Sequence, residues 1–209
     1  RYAFQNETFR EIASTTYYEL PPNARNPEGL GVSPGNKMVK KNFPEYRPDV
    51  IGGKTGYTSI ALNTLVNGAR QGDTTLITVI LHSNNTQYED TSRLLDFGFN
   101  NFQSVKIADY DQTFSNIGKD LKIADVSTAG GESLSIDPDS RVVLPKTADF
   151  SETTTSFDYE IPAGAPDGTI ACVTYSLGDH KVGQAYLTLT DSSQTAADIP
   201  EKLVSQAAT

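Results

Sequence analysis

The sequence predicts an α+β fold followed by a small all-β sandwich domain, and three observations lead there. Three runs rich in β-branched and aliphatic residues crowd into residues 50–81, with a helical pattern on either side. Beyond residue 103 the helical patterns give way to short strand patterns that recur between turn signals. Charge changes at the same place: residues 1–102 carry ten Lys/Arg against ten Asp/Glu, and residues 103–209 carry seven against sixteen. The whole net charge of −9 therefore belongs to the second part. These shifts predict a division into residues 1–102, 103–190 and a polar tail, 191–209.

Taken in order, residues 4–13 read as a helix with Phe4, Thr8, Phe9 and Ile12 on one side. Residues 15–20 are rich in β-formers and stop at Pro21-Pro22, and a loop rich in Gly, Pro and Asn covers 23–36. Strands are expected at 50–55, 60–69 and 74–81, the last two joined by the turn Arg70-Gln-Gly-Asp73. Residues 86–99 suit an amphipathic helix that lies on this sheet through Leu94, Leu95 and Phe97 to Phe99 and ends near Gly98. In the second part, strands are expected at 104–108, 121–126, 141–144, 157–161, 168–175 and 181–189. The tail has the composition of a linker, with at most a weak helix at 200–208.

Composition excludes several kinds of function. An acidic second half argues against nucleic acid, whose phosphates need a basic surface, and against a purely electrostatic grip on anionic lipid. The one cysteine, Cys172, sits in an apolar run and reads as a buried, inert thiol. His82 and His180 stand far apart in no ligand motif, so neither a metal site nor a cofactor is expected. No run of 18 apolar residues exists to span a membrane. The chain opens in what reads as the middle of a helix, which predicts a longer natural polypeptide.

The chemistry concentrates in Val50-Ile-Gly-Gly-Lys-Thr-Gly-Tyr-Thr58, with Lys54-Thr55-Gly56 expected at the end of a strand. Gly52 and Gly53 let a ligand or a neighbouring backbone approach, and Gly56 does the same after the lysine. An edge strand with Lys, Thr and little bulk is suited to hold a peptide carboxylate and align its backbone. Alone, the triplet also fits a Gly-rich hairpin with a solvated lysine.

Its surroundings carry more. Phe9-Arg-Glu-Ile-Ala-Ser-Thr15, then Asn26-Pro-Glu-Gly29 and Gly35-Asn-Lys-Met38, then the Lys-Thr-Gly strand, then Arg93-Leu-Leu-Asp-Phe-Gly-Phe99 follow one another in a familiar order. Together they resemble the low-molecular-mass penicillin-binding D-alanyl-D-alanine carboxypeptidases, whose signatures are Ser-x-x-Lys, Ser-x-Asn and Lys-Thr-Gly. The resemblance covers nearly all of residues 1–102, and more weakly 103–190, which resemble the family's C-terminal β-domain. It implies a partial penicillin-binding/β-lactamase-like antiparallel sheet with helices. It also implies acyl transfer, in which a serine attacks the carbonyl between two D-alanines and water releases the acyl-enzyme.

By position, Lys54 would set the electrostatics at the nucleophile and substrate carboxylate. Thr55 would hydrogen-bond that carboxylate, Gly56 would leave room for substrate, and the backbone at Tyr57 would supply an oxyanion donor. The implied partners are a peptidoglycan stem peptide, β-lactams and the other half of the catalytic domain. The implied place is the cell envelope, with any membrane anchor outside this sequence.

Two features depart from the pattern. The chain contains no Ser-x-x-Lys, and its one Ser-x-Asn, Ser83-Asn84-Asn85, follows Lys-Thr-Gly instead of preceding it and reads as a decoy. Gln87 stands where the family often has an arginine near the substrate carboxylate. The isolated chain is therefore expected to be inactive. The alternatives are a noncatalytic envelope spacer or binding module, and a related β-lactamase or transpeptidase.

Overall fold

The computed structural model describes residues 2–111, 122–123, 126–127 and 133–190. They cluster into two compact units, Arg1–Asn101 and Phe102–Thr209.

The first unit opens with two short helices, α1 (Tyr2–Gln5) and α2 (Glu7–Ser14), where the apolar pattern predicts one. The break falls at Asn6, whose extended backbone and side-chain oxygen cap α2 by accepting the Phe9 N–H at 2.9 Å. Arg10 covers the exposed carbonyls of α1, donating to Phe4 O at 2.8 Å. Strands β1 (Tyr18–Leu20) and β2 (Leu30–Val32) form a small antiparallel hairpin. β2 lies inside the expected loop. It forms because Asn23 Oδ1 accepts the N–H groups of Arg25 and Asn26, and Gly29 takes φ 83°, which turns the chain back on β1.

The central sheet is antiparallel, in the order β3 (Val50–Thr58), β4 (Leu62–Gln71), β5 (Thr74–Ser83). β3 runs three residues beyond expectation, so Lys54-Thr55-Gly56 lies within the strand instead of at its end. The long ladder with β4, from Gly52↔Gly68 to Thr58↔Leu62, holds it there despite three glycines. Helix α3 (Gln87–Asn101) passes through Gly98 instead of stopping at it. A side chain at Gly98 would sit 2.5 Å from Leu76 Cδ1, so the glycine lets helix and sheet close up. Leu95 and Phe99 are buried with Ala69, whereas Leu94 and Phe97 are exposed to solvent, contrary to the sequence reading. Gly68 and Ala69 alternate across the sheet, and Phe4 covers the first while α3 covers the second. The two helical segments thus lie on opposite faces.

Arg47 ties the start of this sheet to α3. It pairs in fork geometry with Asp49, at 3.0 and 2.8 Å, and reaches Asp96 at 2.7 Å. These hydrogen bonds from Arg47, outweighing the effect of burial and helped by Gln71, hold the Asp49 carboxyl below the ordinary carboxylate range. A depressed carboxylate stabilises the fold above its unfolded-state pKa of about 3.9, and that contribution is lost as pH falls through the folded value. Asp49→Asn should lower stability at neutral pH by about 2 kcal/mol and flatten the acid limb of stability against pH below about pH 4. Urea unfolding at several pH values reads both effects.

The second unit is all-β. Its described strands are β6 (Phe102–Lys106), β7 (Lys122–Ile123), β8 (Val126–Ser127), β9 (Ser133–Ile136), β10 (Arg141–Pro145), β11 (Thr154–Asp158), β12 (Thr169–Leu177) and β13 (His180–Thr190). Six form one sheet in the order β11-β12-β13-β10-β6, with β9 also on β13. The far edge of β13 is divided, with Gly183 paired to Val142 and Leu187–Thr190 paired to β9. The core is Ile107, Val142, Leu144, Ala171, Val173, Tyr175, Ala185 and Leu187. Cys172 is buried and free, as expected.

Three expectations need correction here. The strand read at 157–161 lies at β11, because Asp149 and Glu152 build a capping box that ends at Thr153 and starts the strand directly after it. The single strand at 121–126 is instead the hairpin β7–β8, as far as its residues are described. β9, a short polar-apolar alternation, was not expected. The tail at 191–209 lies outside the described residues.

Candidate functional site

β3 is an outer strand of its sheet, and among the described residues only β4 pairs with it. Beside β3 lies a cavity of about 430 Å³ lined by Gly35, by Lys54, Thr55, Gly56 and Tyr57 of β3, by Asn63 and Thr64 of β4, and by Gln87 and Tyr88 of α3. All four residues expected from the sequence, Lys54, Thr55, Gly56 and Tyr57, border it, and so does Gln87. Lys54 and Thr55 point to opposite faces of the strand, and both border the cavity. Among the described residues Lys54 is the only charged one in the lining, which makes the cavity suited to an anion.

The neighbouring segments fix this edge. Asn36 and Asn67 are both almost completely buried, and Asn36 Nδ2 donates to Asn67 Oδ1 at 2.7 Å. Asn36 Oδ1 accepts the Met38 N–H at 3.1 Å, and Asn67 Nδ2 contacts Met38 Sδ at 3.0 Å. This amide pair packs against Gly53, where any Cβ would lie 2.0 Å from Asn67 Oδ1. It thereby fastens the loop at Gly35 to the strand beside Lys54. Tyr88 on α3 fastens the same loop from the other side, its hydroxyl donating to Gly35 O at 3.0 Å.

Gly35 is packed so tightly that a Cβ there would sit 2.8 Å from Thr55 Oγ1. Among the described residues nothing hydrogen-bonds the Thr55 hydroxyl, which leaves it free for a ligand. The Lys54 ammonium turns back to Thr55 O at 2.5 Å. Gln87 opens α3 beside the cavity, and its Oε1 is buried with no partner among the described residues.

Ser83 does not face chemistry. It is buried at the end of β5, and its hydroxyl accepts the Thr86 N–H at 3.1 Å at the entry to α3. Asn85, at φ 69°, accepts from Asn63 Nδ2 at 3.0 Å and steadies the cavity wall. Sequence reading singled out neither Asn63, Thr64 and Tyr88 nor the Asn36–Asn67 pair. The pairing joins residues 31 positions apart and has no local signal, although Gly35-Asn36 did stand within a recognised segment.

A second concavity, of about 550 Å³, adjoins the first through Gly35 and Lys54. Its walls are mainly apolar: Phe9, Ile12 and Ala13 of α2, Tyr18 and Val32 of the hairpin, and Pro34. No group of metal-binding side chains occurs among the described residues.

Comparison with known proteins bears on the fold. No family model and no curated protein sequence matches the chain. Among solved structures it is similar to penicillin binding protein 5 from Haemophilus influenzae, with 21% identity and a TM-score of 0.57 over 90% of this chain and 52% of that one. It is also similar to a peptidoglycan synthesis regulatory factor (PBP3) from Streptococcus pneumoniae, with 19% identity and a TM-score of 0.58 over 90% of this chain and 53% of that one. The chain shares the α+β fold of these penicillin-binding proteins and spans about half of their length.

Proposed function

We propose that this chain is part of a serine-type D-alanyl-D-alanine carboxypeptidase that trims peptidoglycan stem peptides and is acylated by β-lactams. The observation that carries the reading is the cavity beside the outer strand β3, where among the described residues Lys54 is the sole charge and the Thr55 hydroxyl is unengaged. An extended peptide can pair with such an edge while its terminal carboxylate meets Lys54 and the Thr55 hydroxyl. The Tyr57 backbone N–H then lies on the same strand to stabilise the developing oxyanion, and Gly56 keeps the approach open.

In this reading a serine hydroxyl supplied by another part of the fold loses its proton to a base and attacks the carbonyl between the two D-alanines. The C–N bond breaks, the terminal D-alanine leaves with a proton, and water hydrolyses the ester. The 209 residues contain no Ser-x-x-Lys, so the nucleophile comes from the remainder of the fold and this chain alone is inactive. Gln87 offers an amide where a cation would otherwise assist, which leaves the carboxylate to Lys54 and Thr55. Residues 103–190 act as a noncatalytic spacer or binding module in the cell envelope, a role consistent with the acidic excess of the second half. No helix among the described residues is long and apolar enough to cross a membrane.

The test is product analysis with the protein as its source makes it. Incubation with a pentapeptide ending in D-Ala-D-Ala should release one equivalent of free D-alanine and no cross-linked dimer. Dimer formation would reassign the protein as a transpeptidase. Turnover of β-lactams without D-alanine release would reassign it as a β-lactamase.

A further inference from the structure

The Thr55 hydroxyl has no hydrogen-bond partner among the described residues, yet it is closely walled. One wall is the backbone of Gly35, which stands so near that a Cβ there would sit 2.8 Å from Thr55 Oγ1. A small shift of Gly35 would therefore widen or close the space in which that hydroxyl can meet a ligand. Whatever fixes Gly35 also fixes the shape of the cavity at Thr55.

Two separate clamps hold this loop. The first is buried: Asn36, the next residue, donates to Asn67 of β4 at 2.7 Å and accepts the Met38 N–H at 3.1 Å. It fastens the loop to the sheet. The second is Tyr88 of α3, which stands in the cavity wall. Its hydroxyl donates to Gly35 O at 3.0 Å and accepts the Lys37 N–H at 3.4 Å, so one oxygen grips the residues on both sides of Asn36. The ring is steadied in turn by Lys37, whose ammonium lies 5.6 Å from its centroid and pairs with Glu45 at 2.9 Å. Removing the Tyr88 hydroxyl leaves the buried clamp in place. The loop then stays docked through Asn36 while Gly35 is released.

We propose that Tyr88 is a positioning residue, which through Gly35 sets the space at the Thr55 hydroxyl and thereby the affinity of the site for a ligand carboxylate. The inference rests on the functional reading above and adds to it a residue outside the Lys-Thr-Gly strand. Tyr88 acts on the carboxylate only through the loop and Thr55. A carboxylate held by Thr55 is held before acylation and during it, so loosening that grip weakens binding and leaves the limiting rate unchanged. Gly35→Ala acts on the same hydroxyl from the opposite direction, by crowding it.

Acylation of the protein as its source makes it, followed over a series of penicillin concentrations, separates half-saturation from limiting rate. Tyr88→Phe should raise the half-saturating concentration about 10-fold, the order of one lost hydrogen bond, with the limiting rate within about 2-fold of the parent. A penicillin whose carboxylate is methyl-esterified should half-saturate parent and variant alike. Gly35→Ala should show the same selective loss for the free acid. In a Thr55→Val background Tyr88→Phe should add nothing, because the group it positions is gone. Parent-like half-saturation in Tyr88→Phe, an equal loss for acid and ester, or effects that add in the double variant would each overturn the inference. A lower urea midpoint with acylation unchanged would do so too, by assigning Tyr88 to stability alone. A parent protein that takes no penicillin would refute the functional reading and this inference with it. A parent that is acylated, with variant effects that add, would refute this inference alone.

Discussion

Replacing Lys54 by alanine, in the protein as its source makes it, should slow acylation by a penicillin about 10²–10³-fold, the range seen when one preorganised electrostatic contact is removed from an acyl-transfer site. The size follows from the lining of the cavity, in which no second cation is available to take over. Lys54 is exposed and contributes no buried packing, so its loss should change stability by no more than about 0.5 kcal/mol. Stopped-flow acylation together with urea unfolding separates the two effects. Slow acylation with unchanged stability fits the proposed role. A variant acylated at the parent rate would show that Lys54 is a solvated lysine on a hairpin strand.

Gly53→Ala should be the most destabilising single methyl in the first unit. The new Cβ would lie 2.0 Å from Asn67 Oδ1, 2.4 Å from the Val66 carbonyl oxygen and 3.0 Å from Asn36 Nδ2. One of these is backbone of the paired strand, and the other two belong to a buried, hydrogen-bonded amide pair. Relief requires either parting β3 from β4 or breaking the Asn36–Asn67 hydrogen bond, which would leave buried amide groups unpaired. A loss of about 3 kcal/mol or more is expected. Gly72→Ala is the control. Nothing lies within 4 Å of its Cβ position, and only its φ of 55° opposes a side chain, so about 1 kcal/mol is expected. Comparable urea midpoints for the two variants would contradict the packing described for Gly53.

Much of this was legible in the sequence because the relevant signals are local. The β-branched runs at 50–81 and the turn at Gly72 gave the three strands, and the Lys-Thr-Gly triplet marked the edge that carries the cavity. What escaped depends on contacts between distant residues or on the geometry of a single cap. Asn6 divides a helix that the apolar pattern joins. Gly98 looks like a helix stop and is in fact the close contact with Leu76. Leu94 is as hydrophobic as Leu95, yet only the second faces the sheet: the helix turns about 100° per residue, and its rotation about its own axis, set by packing on the sheet, leaves Leu94 outside the buried stripe. Asn36 and Asn67 look like ordinary polar residues until the fold buries them together beneath Gly53.

The central claim is that the free edge of β3 forms one side of a penicillin-reactive serine site whose nucleophile lies outside these 209 residues. Fluorescent penicillin labelling, followed by mass spectrometry of the labelled peptide, tests it most directly. The 209-residue chain should take no label, and the protein as its source makes it should be labelled on one serine that precedes or follows this sequence. Label on any serine within residues 1–209, or no label on the natural protein, would contradict the account.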